Sequence, residues 1–180
     1  MAPGKRIEDI EEIVNNTLKN APNEMKIRPK QLKAIHHLVK GKDTLCLLPT
    51  GGGKSLIYQL LPTVFKTLNN VIKNPIVIIV SPLISLMMDQ VEEAHSKPYL
   101  NLSAVRLDCS NTVKNEIFEG KHNLVFGSPE SWLNNKQWRE LLSSKMFVRN
   151  VVCLVIDEVH KVNWYLNMYL FFFLKTLFKK

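Results

Sequence analysis

Cysteine is scarce in this sequence, and its spacing suits neither a zinc site nor a disulfide framework. The three cysteines, Cys46, Cys109 and Cys153, are odd in number and form no C-x-x-C pair. Cys46 and Cys153 lie inside strand-like apolar runs, where a free thiol behaves as a small buried hydrophobe. We therefore expect a reducing compartment and no structural zinc.

Long apolar runs are also missing. The apolar stretch at residues 165–174 holds about ten residues, whereas a membrane-spanning helix needs roughly twenty. The N-terminus has no apolar core of the signal-peptide kind, and no internal repeat or low-complexity tract is present. A membrane partner is therefore not expected, although residues 165–174 leave open a contact with a membrane surface or a sticky exposed end.

What the chain does have is the composition of a folded domain with an excess of positive charge. Its 180 residues are 46% hydrophobic and 22% charged, which allows a real core and argues against wholesale disorder. Lysine and arginine outnumber the acids by 24 to 16, and the formal net charge is +8. This excess favours a polyanionic partner such as nucleic acid. The alternatives are a solvated surface or the basic tail at Lys175, Lys179 and Lys180.

Apolar periodicity predicts two leading helices and then an alternation of strands and helices. The leading helices cover residues 6–20 and 29–40. Strands are predicted at residues 44–48, 75–80, 103–107, 123–126 and 151–156, and helices at 54–68, 83–95, 112–119 and 130–144, the last one broken at 134–135. Repeated strand–helix units predict an α/β fold in which a parallel β-sheet is flanked by helices on both faces. Ligands bind such sheets at the carboxyl ends of the strands.

A glycine-rich segment follows the first predicted strand and opens a helix. Residues 47–55 read LLPTGGGKS. Glycines let backbone N–H groups close around an anion, and a helix N-terminus adds partial positive charge. Lys54 would reach the outer phosphates of a nucleotide and the Ser55 hydroxyl would bind Mg²⁺. Leu48 stands where the general motif has glycine, and a glycine-rich hairpin turn is the alternative.

Acidic side chains follow the last predicted strand. Asp157 and Glu158 come directly after it, so they should meet the glycine-rich segment at the same sheet edge. One carboxylate can hold Mg²⁺ and its neighbour can orient or deprotonate a water molecule. Each acid alone is more often a surface residue. His160 is either a relay between nucleotide and substrate or a solvated or core histidine.

Five segments follow one another in a recognisable order: Arg28-Pro29-Lys30-Gln31, LPTGGGKS at residues 48–55, VSPLISLMMDQV at 80–91, Ser128-Pro129-Glu130 and Asp157-Glu158-Val159-His160. Together they resemble the RecQ-type DNA helicases of superfamily 2, and the resemblance runs from about residue 26 to residue 164. The resemblance implies a RecA-like P-loop NTPase lobe. It also accounts for Leu48, because loops of this superfamily often lack the first glycine.

For the nucleotide, the resemblance implies a cofactor site for ATP and Mg²⁺. Arg28 and Gln31 would read the adenine, unless both simply lie on an exposed helix face. The phosphates would be held by Pro49, Thr50, Gly51, Gly52, Gly53, Lys54 and Ser55. Asp157 would bind Mg²⁺ with Ser55, Glu158 would activate water, and His160 would couple hydrolysis to DNA.

For nucleic acid, the resemblance implies a track for single-stranded DNA. Its residues would be Ser81, Pro82, Leu83, Ser85, Ser128, Pro129, Glu130 and Trp164. Simple strand-to-helix turns, with Ser81 as a helix cap, are the alternative for these segments.

The predicted organisation is an N-terminal helical segment (1–25), a helicase ATP-binding domain (26–164) and an apolar, basic tail (165–180) unlike the family. Because the second lobe and its arginine finger have no counterpart, we expect a truncated chain with very slow hydrolysis. The implied function is ATP-dependent DNA unwinding, with 3′-to-5′ movement in a nuclear or nucleoid setting. A non-catalytic module that binds ATP and DNA is the alternative. A nucleotide kinase fits less well, since it has no use for a strand-tracking segment.

Overall fold

Four parallel strands form the centre of the fold. The computed structural model describes residues 6–22, 25–49, 51–69, 71–107 and 111–158. The strands are β1 (Ile76–Val80), β2 (Ala104–Arg106), β3 (Leu124–Gly127) and β4 (Val151–Ile156), in the order β2-β3-β1-β4. All three pairings are parallel, as the alternation of strands and helices predicted.

Helices precede the first strand and fill the connections between the strands. They are α1 (Ile7–Leu18), α2 (Pro29–Val39), α3 (Lys54–Leu68), α4 (Ile84–His95), α5 (Asn111–Phe118), α6 (Pro129–Asn134), α7 (Lys136–Ser143) and α8 (Lys145–Asn150). The predicted break at residues 134–135 is confirmed, because Asn135 ends α6 and caps α7 through its side chain. The sequence reading missed α8, although Ser144 signals its start by accepting a hydrogen bond from Phe147 N.

Alternating residues of β1 pack into two hydrophobic cores, one on each face of the sheet. Val77 and Ile79 belong to the core formed with α1 to α4, whereas Ile76 and Ile78 belong to the core formed with α6 to α8. Both faces of β1 are fully buried. This is why its sequence is a continuous β-branched run rather than an alternating one.

The N-terminal helix is part of the first core. Ile10, Val14 and Leu18 lie on one face of α1 and are almost fully buried. They pack in the cluster that also holds α2 and α3. The described portion of the N-terminal segment therefore packs on the lobe.

The predicted strand at residues 44–48 is wrong. These residues have no regular secondary structure and pair with none of the described strands. They still alternate: Leu45 and Leu47 are each 80% exposed, whereas Cys46 and Leu48 pack against the core. A strand needs a hydrogen-bonded neighbour, and this segment has none within the described residues.

The two described cysteines, Cys46 and Cys153, are free and half-buried rather than fully enclosed. Burial nevertheless raises the pKa of the Cys153 thiol to about 12. No helix among the described residues has the length and apolar character needed to cross a bilayer. The predicted apolar tail at residues 165–180 lies outside the described residues.

Candidate nucleotide and nucleic-acid site

The glycine loop, residues 49–53, turns into α3 through a backbone that only glycine adopts readily. Gly51 and Gly53 have φ of 72° and 75°, in the left-handed region. Gly52 N donates to Pro49 O at 2.9 Å, and a Cβ on Gly52 would lie 2.7 Å from that same oxygen. The first turn of α3 contains no acidic residue. The loop is therefore a tight turn that leads into a helix N-terminus suited to an anion.

The side chain of Lys54 bends back over this loop. Its Nζ donates to Leu48 O at 3.3 Å and to Pro49 O at 3.4 Å. Both partners are neutral carbonyls. A phosphate group would be a stronger, charge-assisted partner for the same ammonium.

Gln31 ties α2 to the glycine loop. Its Nε2 donates to Gly53 O at 2.9 Å and to Gly52 O at 3.3 Å, and its Oε1 accepts from Arg28 N at 2.9 Å. Gln31 is 3% exposed, whereas Arg28 is exposed. The exposed-face alternative is therefore wrong for Gln31, whose amide holds the loop and caps α2.

Asp157 is fixed at the carboxyl end of β4 by three hydrogen bonds. Its N–H donates to Val80 O at 2.9 Å, which anchors its backbone to the end of β1. Its Oδ1 accepts from Glu158 N at 3.0 Å, and its Oδ2 accepts from Gln90 Nε2 at 2.8 Å. Glu158 has a φ of 51°, an uncommon backbone conformation for a residue with a side chain.

Tyr58, one turn into α3, is a buried phenol in the helix that follows the glycine loop. Burial raises the pKa of its hydroxyl, the Ser55 side chain lowers that pKa, and the negative charge of Asp157 raises it further. Helix α3 also contacts β4, the strand that ends at Ile156. The helix that the glycine loop opens therefore packs beside the strand that carries Asp157, and the approach of Ser55 to Asp157 stays a prediction.

This donor set fits a magnesium ion better than a transition metal. Asp157 supplies a carboxylate and Ser55 a hydroxyl, and Mg²⁺ is bound through one or two carboxylates together with phosphates and water. Within the described ranges there is no group of three or more His, Cys, Asp and Glu residues that could hold a metal alone. A metal bound here would depend on the nucleotide for its remaining oxygen ligands.

The two segments predicted to track DNA are neighbours at the same sheet edge. Ser81 N donates to Gly127 O at 3.1 Å, so the turn after β1 lies beside the turn after β3. Ser81 is fully buried and does not cap α4, whose N-cap is Leu83. Leu83 and Ser85 are exposed, and Ser128 caps α6 by accepting from Ser131 N. The accessible groups are therefore those in the first turns of α4 and α6, including Glu130.

Three of the predicted site residues lie outside the described residues: Thr50, His160 and Trp164. Two residues at the site were missed by the sequence reading, namely Tyr58 and Gln90. Gln90 had a signal, because it is a polar residue on a helix face whose other members, Met87 and Ala94, are apolar and buried.

A parallel α/β sheet, with a glycine loop that opens a helix and a carboxylate at the carboxyl end of a strand, is the architecture of a RecA-like lobe. The chain belongs to the DEAD/DEAH box helicase family, whose model matches residues 28–165.

The relatives found among curated proteins carry RecQ-type helicase names, which confirms the resemblance. The chain is 38% identical over 144 residues to ATP-dependent helicase SGS1 of Saccharomyces cerevisiae, covering 76% of this chain and 10% of that protein. It is 31% identical over 153 residues to ATP-dependent DNA helicase RecQ of Haemophilus influenzae, covering 82% and 22%. It is 36% identical over 138 residues to ATP-dependent DNA helicase Q-like 5 of Arabidopsis thaliana, covering 76% and 14%. The matched part of the chain thus spans between 10% and 22% of the length of these three relatives.

Proposed function

We propose that this chain is the nucleotide-binding lobe of a RecQ-type DNA helicase, which binds ATP with Mg²⁺ and uses its hydrolysis to move on single-stranded DNA and unwind duplexes. The observation that carries the proposal is the glycine loop at the start of α3, with two glycines in the left-handed region and its backbone held by Gln31, in a lobe whose Asp157 is fixed at the carboxyl end of β4. The DNA-bearing environment of such an enzyme would be a nucleus or a nucleoid.

In this proposal the glycine loop and Lys54 hold the phosphate chain. Backbone N–H groups at residues 51–55 surround the phosphates, and Lys54 exchanges its two carbonyl partners for phosphate oxygens. Gln31 holds the backbone of the loop through its hydrogen bonds to the carbonyl oxygens of Gly52 and Gly53. Arg28 and Gln31 are proposed to read the adenine: Arg28 is exposed at the start of α2, whereas the Gln31 amide would exchange a bond to the loop for one to the base.

The acids at the end of β4 carry the hydrolytic step. Mg²⁺, when bound, neutralises charge that develops on the phosphates. Asp157 and Ser55 would hold this ion. Glu158 would accept a proton from the attacking water, as a carboxylate placed beside the metal-binding acid can do. His160 is proposed to relay between this step and the DNA track.

The first turns of α4 and α6 would carry the DNA backbone. Ser85 presents an exposed hydroxyl at the start of α4, where backbone N–H groups also lack helical partners. The proposed DNA path includes Ser81, Pro82, Leu83, Ser128, Pro129, Glu130 and Trp164. Buried Ser81 would act through its backbone position rather than through its hydroxyl.

The test is ATP turnover with and without single-stranded DNA. Lys54→Ala should abolish turnover by weakening phosphate binding, and Glu158→Gln should abolish turnover while leaving ATP binding within about twofold. Lys66→Ala is the matched control, since it removes one exposed lysine from the same helix. Nucleotide binding without turnover under any condition would favour a non-catalytic binding module. Unchanged ATP affinity in Lys54→Ala would refute the phosphate site itself.

A further inference from the structure

Gln90 is a buried amide with a single specific partner. It lies in the middle of α4 and is 6% exposed. Burying an amide is unfavourable unless its polar atoms find partners. Its Nε2 finds one, the Oδ2 of Asp157 at 2.8 Å, across 67 positions of sequence. Through Gln90, helix α4 therefore contacts the carboxylate proposed to bind Mg²⁺.

This bond controls the oxygen that Asp157 can turn toward a metal. The other oxygen, Oδ1, accepts from Glu158 N, and the backbone of Asp157 is held by Val80 O. With the main chain and Oδ1 fixed, the Gln90 amide sets the remaining freedom of the carboxylate. A carboxylate that binds a metal is typically oriented by such an outer hydrogen bond.

The acceptor end of the same amide is buried as well. Gln90 Oε1 is buried and has no hydrogen-bond partner among the described residues, and the same holds for the Ser81 hydroxyl. An unpartnered buried acceptor next to a carboxylate suits a water molecule, which can donate to both. Hydrated Mg²⁺ brings such water, because it loses its water ligands reluctantly.

Helix α4 joins this amide to the proposed DNA track. Ser85 lies in its exposed first turn, and Gln90 follows five positions later, about 7–8 Å along the helix axis. A helix moves as a rigid unit over so short a distance. A shift of its first turn, caused by a bound phosphate backbone, therefore moves Gln90 against Asp157.

We propose that Gln90 is a positioning residue that orients Asp157 for Mg²⁺ and transmits nucleic-acid contact at the start of α4 to that carboxylate. The inference rests on the proposed function, since it needs a nucleotide–metal site at Asp157. It adds a coupling route within this lobe that uses one hydrogen bond, between Gln90 Nε2 and Asp157 Oδ2.

The experiment measures metal affinity apart from nucleotide affinity. Mn²⁺ replaces Mg²⁺, and its free concentration is followed by electron paramagnetic resonance with a non-hydrolysable ATP analogue present. Gln90→Leu and Gln90→Asn should weaken Mn²⁺ binding by about tenfold, the lower end for loss of an outer-shell partner. Affinity for the analogue without metal should change less than about twofold. An oligothymidylate should raise Mn²⁺ affinity in the wild type but not in either variant.

Gln59→Leu is the matched control. Gln59 is also fully buried, and its Oε1 accepts from Lys97 Nζ rather than touching Asp157. Its metal affinity should stay at the wild-type value, even if its melting temperature falls. Loss of metal-free and metal-dependent nucleotide binding together in the Gln90 variants would show a general structural role and overturn the proposal.

The outcomes separate the two proposals. Wild-type protein that binds the analogue and Mn²⁺, with Gln90 variants that bind both equally well, overturns the role of Gln90 and leaves the proposed function standing. An oligothymidylate effect that is unchanged in the variants overturns the coupling. Wild-type protein that binds no nucleotide refutes the proposed function, and the inference about Gln90 falls with it.

Discussion

At the residue scale, Gly53 shows how a backbone conformation and a side-chain contact act together. Gly53 and Gly41 have similar positive φ values, 75° and 69°. A Cβ on Gly41 would meet open space, whereas a Cβ on Gly53 would collide with the Nε2 of Gln31. An alanine at either position would therefore have a strained left-handed backbone, but only an alanine at position 53 would also collide with a side chain.

Gly53→Ala should be more damaging than Gly41→Ala. The left-handed backbone alone costs an alanine roughly 1–2 kcal/mol, and this cost should appear in both variants. Gly53→Ala should also break the Gln31 bonds to the loop and reduce ATP affinity at least about tenfold. Urea unfolding and binding of a fluorescent ATP analogue measure the two effects.

A double variant tests the reason for that difference. Gln31→Ala removes the atom with which the new methyl would collide, so Gly53→Ala should cost less stability in that background. If the stability losses of Gln31→Ala and Gly53→Ala simply add in the double variant, the proposed collision between the new methyl group and Gln31 does not occur. The Gln31→Ala change combined with Gly41→Ala is the control and should be additive, since no atom lies within 4 Å of a Cβ at Gly41.

Neither the Gln31 contact nor the Lys54 contacts could be read from the sequence. The spacing of TGGGKS predicts a phosphate loop, and the structure supplies the turn that this needs. The spacing of the motif does not predict which atoms the side chains of Lys54 and Gln31 contact. That depends on which carbonyls lie within reach once α2 and α3 have packed, and packing is not a local property of the motif.

At the scale of elements, the strands that pair with a neighbouring strand were predicted well, whereas the strand predicted at residues 44–48, which has no such neighbour among the described strands, was not. The β-branched runs of β1 and β4 became strands within a residue of the predicted bounds, because each pairs with a neighbour. Residues 44–48 have a similar pattern but no neighbour among the described strands. Strand propensity is realised only when hydrogen-bond partners are available, and a local pattern cannot supply them.

The exposed side chains of residues 44–48 predict how this segment tolerates substitution. Leu45→Thr with Leu47→Thr should change the free energy of unfolding by less than about 0.5 kcal/mol, because both leucines are already 80% exposed. The same pair should reduce self-association, since exposed leucines promote it. Thermal unfolding and light scattering measure these effects.

Ile78→Thr gives the opposite expectation and serves as the contrast. Ile78 is fully buried in β1, so a hydroxyl there should cost roughly 1–3 kcal/mol. A large loss of stability in the leucine pair would show that residues 44–48 are covered in solution.

A polar cluster joins α5 to the residues just before β2 and β3, at the amino ends of these two strands. His122 Nδ1 lies 2.8 Å from Ser103 Oγ, and its Nε2 lies 3.3 Å from Glu116 Oε2. Burial lowers the pKa of His122, Glu116 raises it, and His95 and Lys121 lower it. The net effect is a lowered pKa, so the folded state favours the neutral imidazole.

The lowered pKa predicts a loss of stability in mild acid. Above the ordinary pKa of about 6.5, both folded and unfolded chains hold a neutral imidazole and the group contributes no pH dependence. Below it, the unfolded chain binds the proton first and unfolding becomes easier. Stability should therefore fall between about pH 7.5 and pH 5.5, and fall less in His122→Gln.

Urea midpoints at the two pH values measure this difference. Equal pH dependence in the wild type and His122→Gln would show that this cluster does not couple protonation to folding.

At the scale of the whole molecule, the net charge of +8 and the position of the proposed DNA track lead to the same expectation. A basic surface attracts any polyanion over a long range, whereas the first turns of α4 and α6 offer specific places for phosphates. The charge alone could not decide between a nucleic-acid partner and a merely solvated surface. The order of the five motifs, and then the family match, favoured the first of these.

The salt dependence of the affinity for single-stranded DNA reports how many phosphates the protein neutralises. Each phosphate neutralised on a single strand contributes a slope of about −0.7 to the plot of log affinity against log salt concentration. A track of about three phosphates should therefore lose roughly tenfold in affinity when the salt concentration is tripled. Fluorescence anisotropy of a labelled oligothymidylate measures this slope.

A matched pair of variants then locates the contacts. Ser85→Glu places a negative charge in the exposed first turn of α4, so it should weaken binding by repelling the phosphate backbone there. Thr67→Glu makes a comparable change at an exposed position near the end of α3 and should lower affinity only slightly, through net charge, at an unchanged slope. Equal effects of the two changes would mean that DNA is held by the overall charge of the lobe rather than by the α4 track. In that case α4 could not carry a signal from the strand to Asp157.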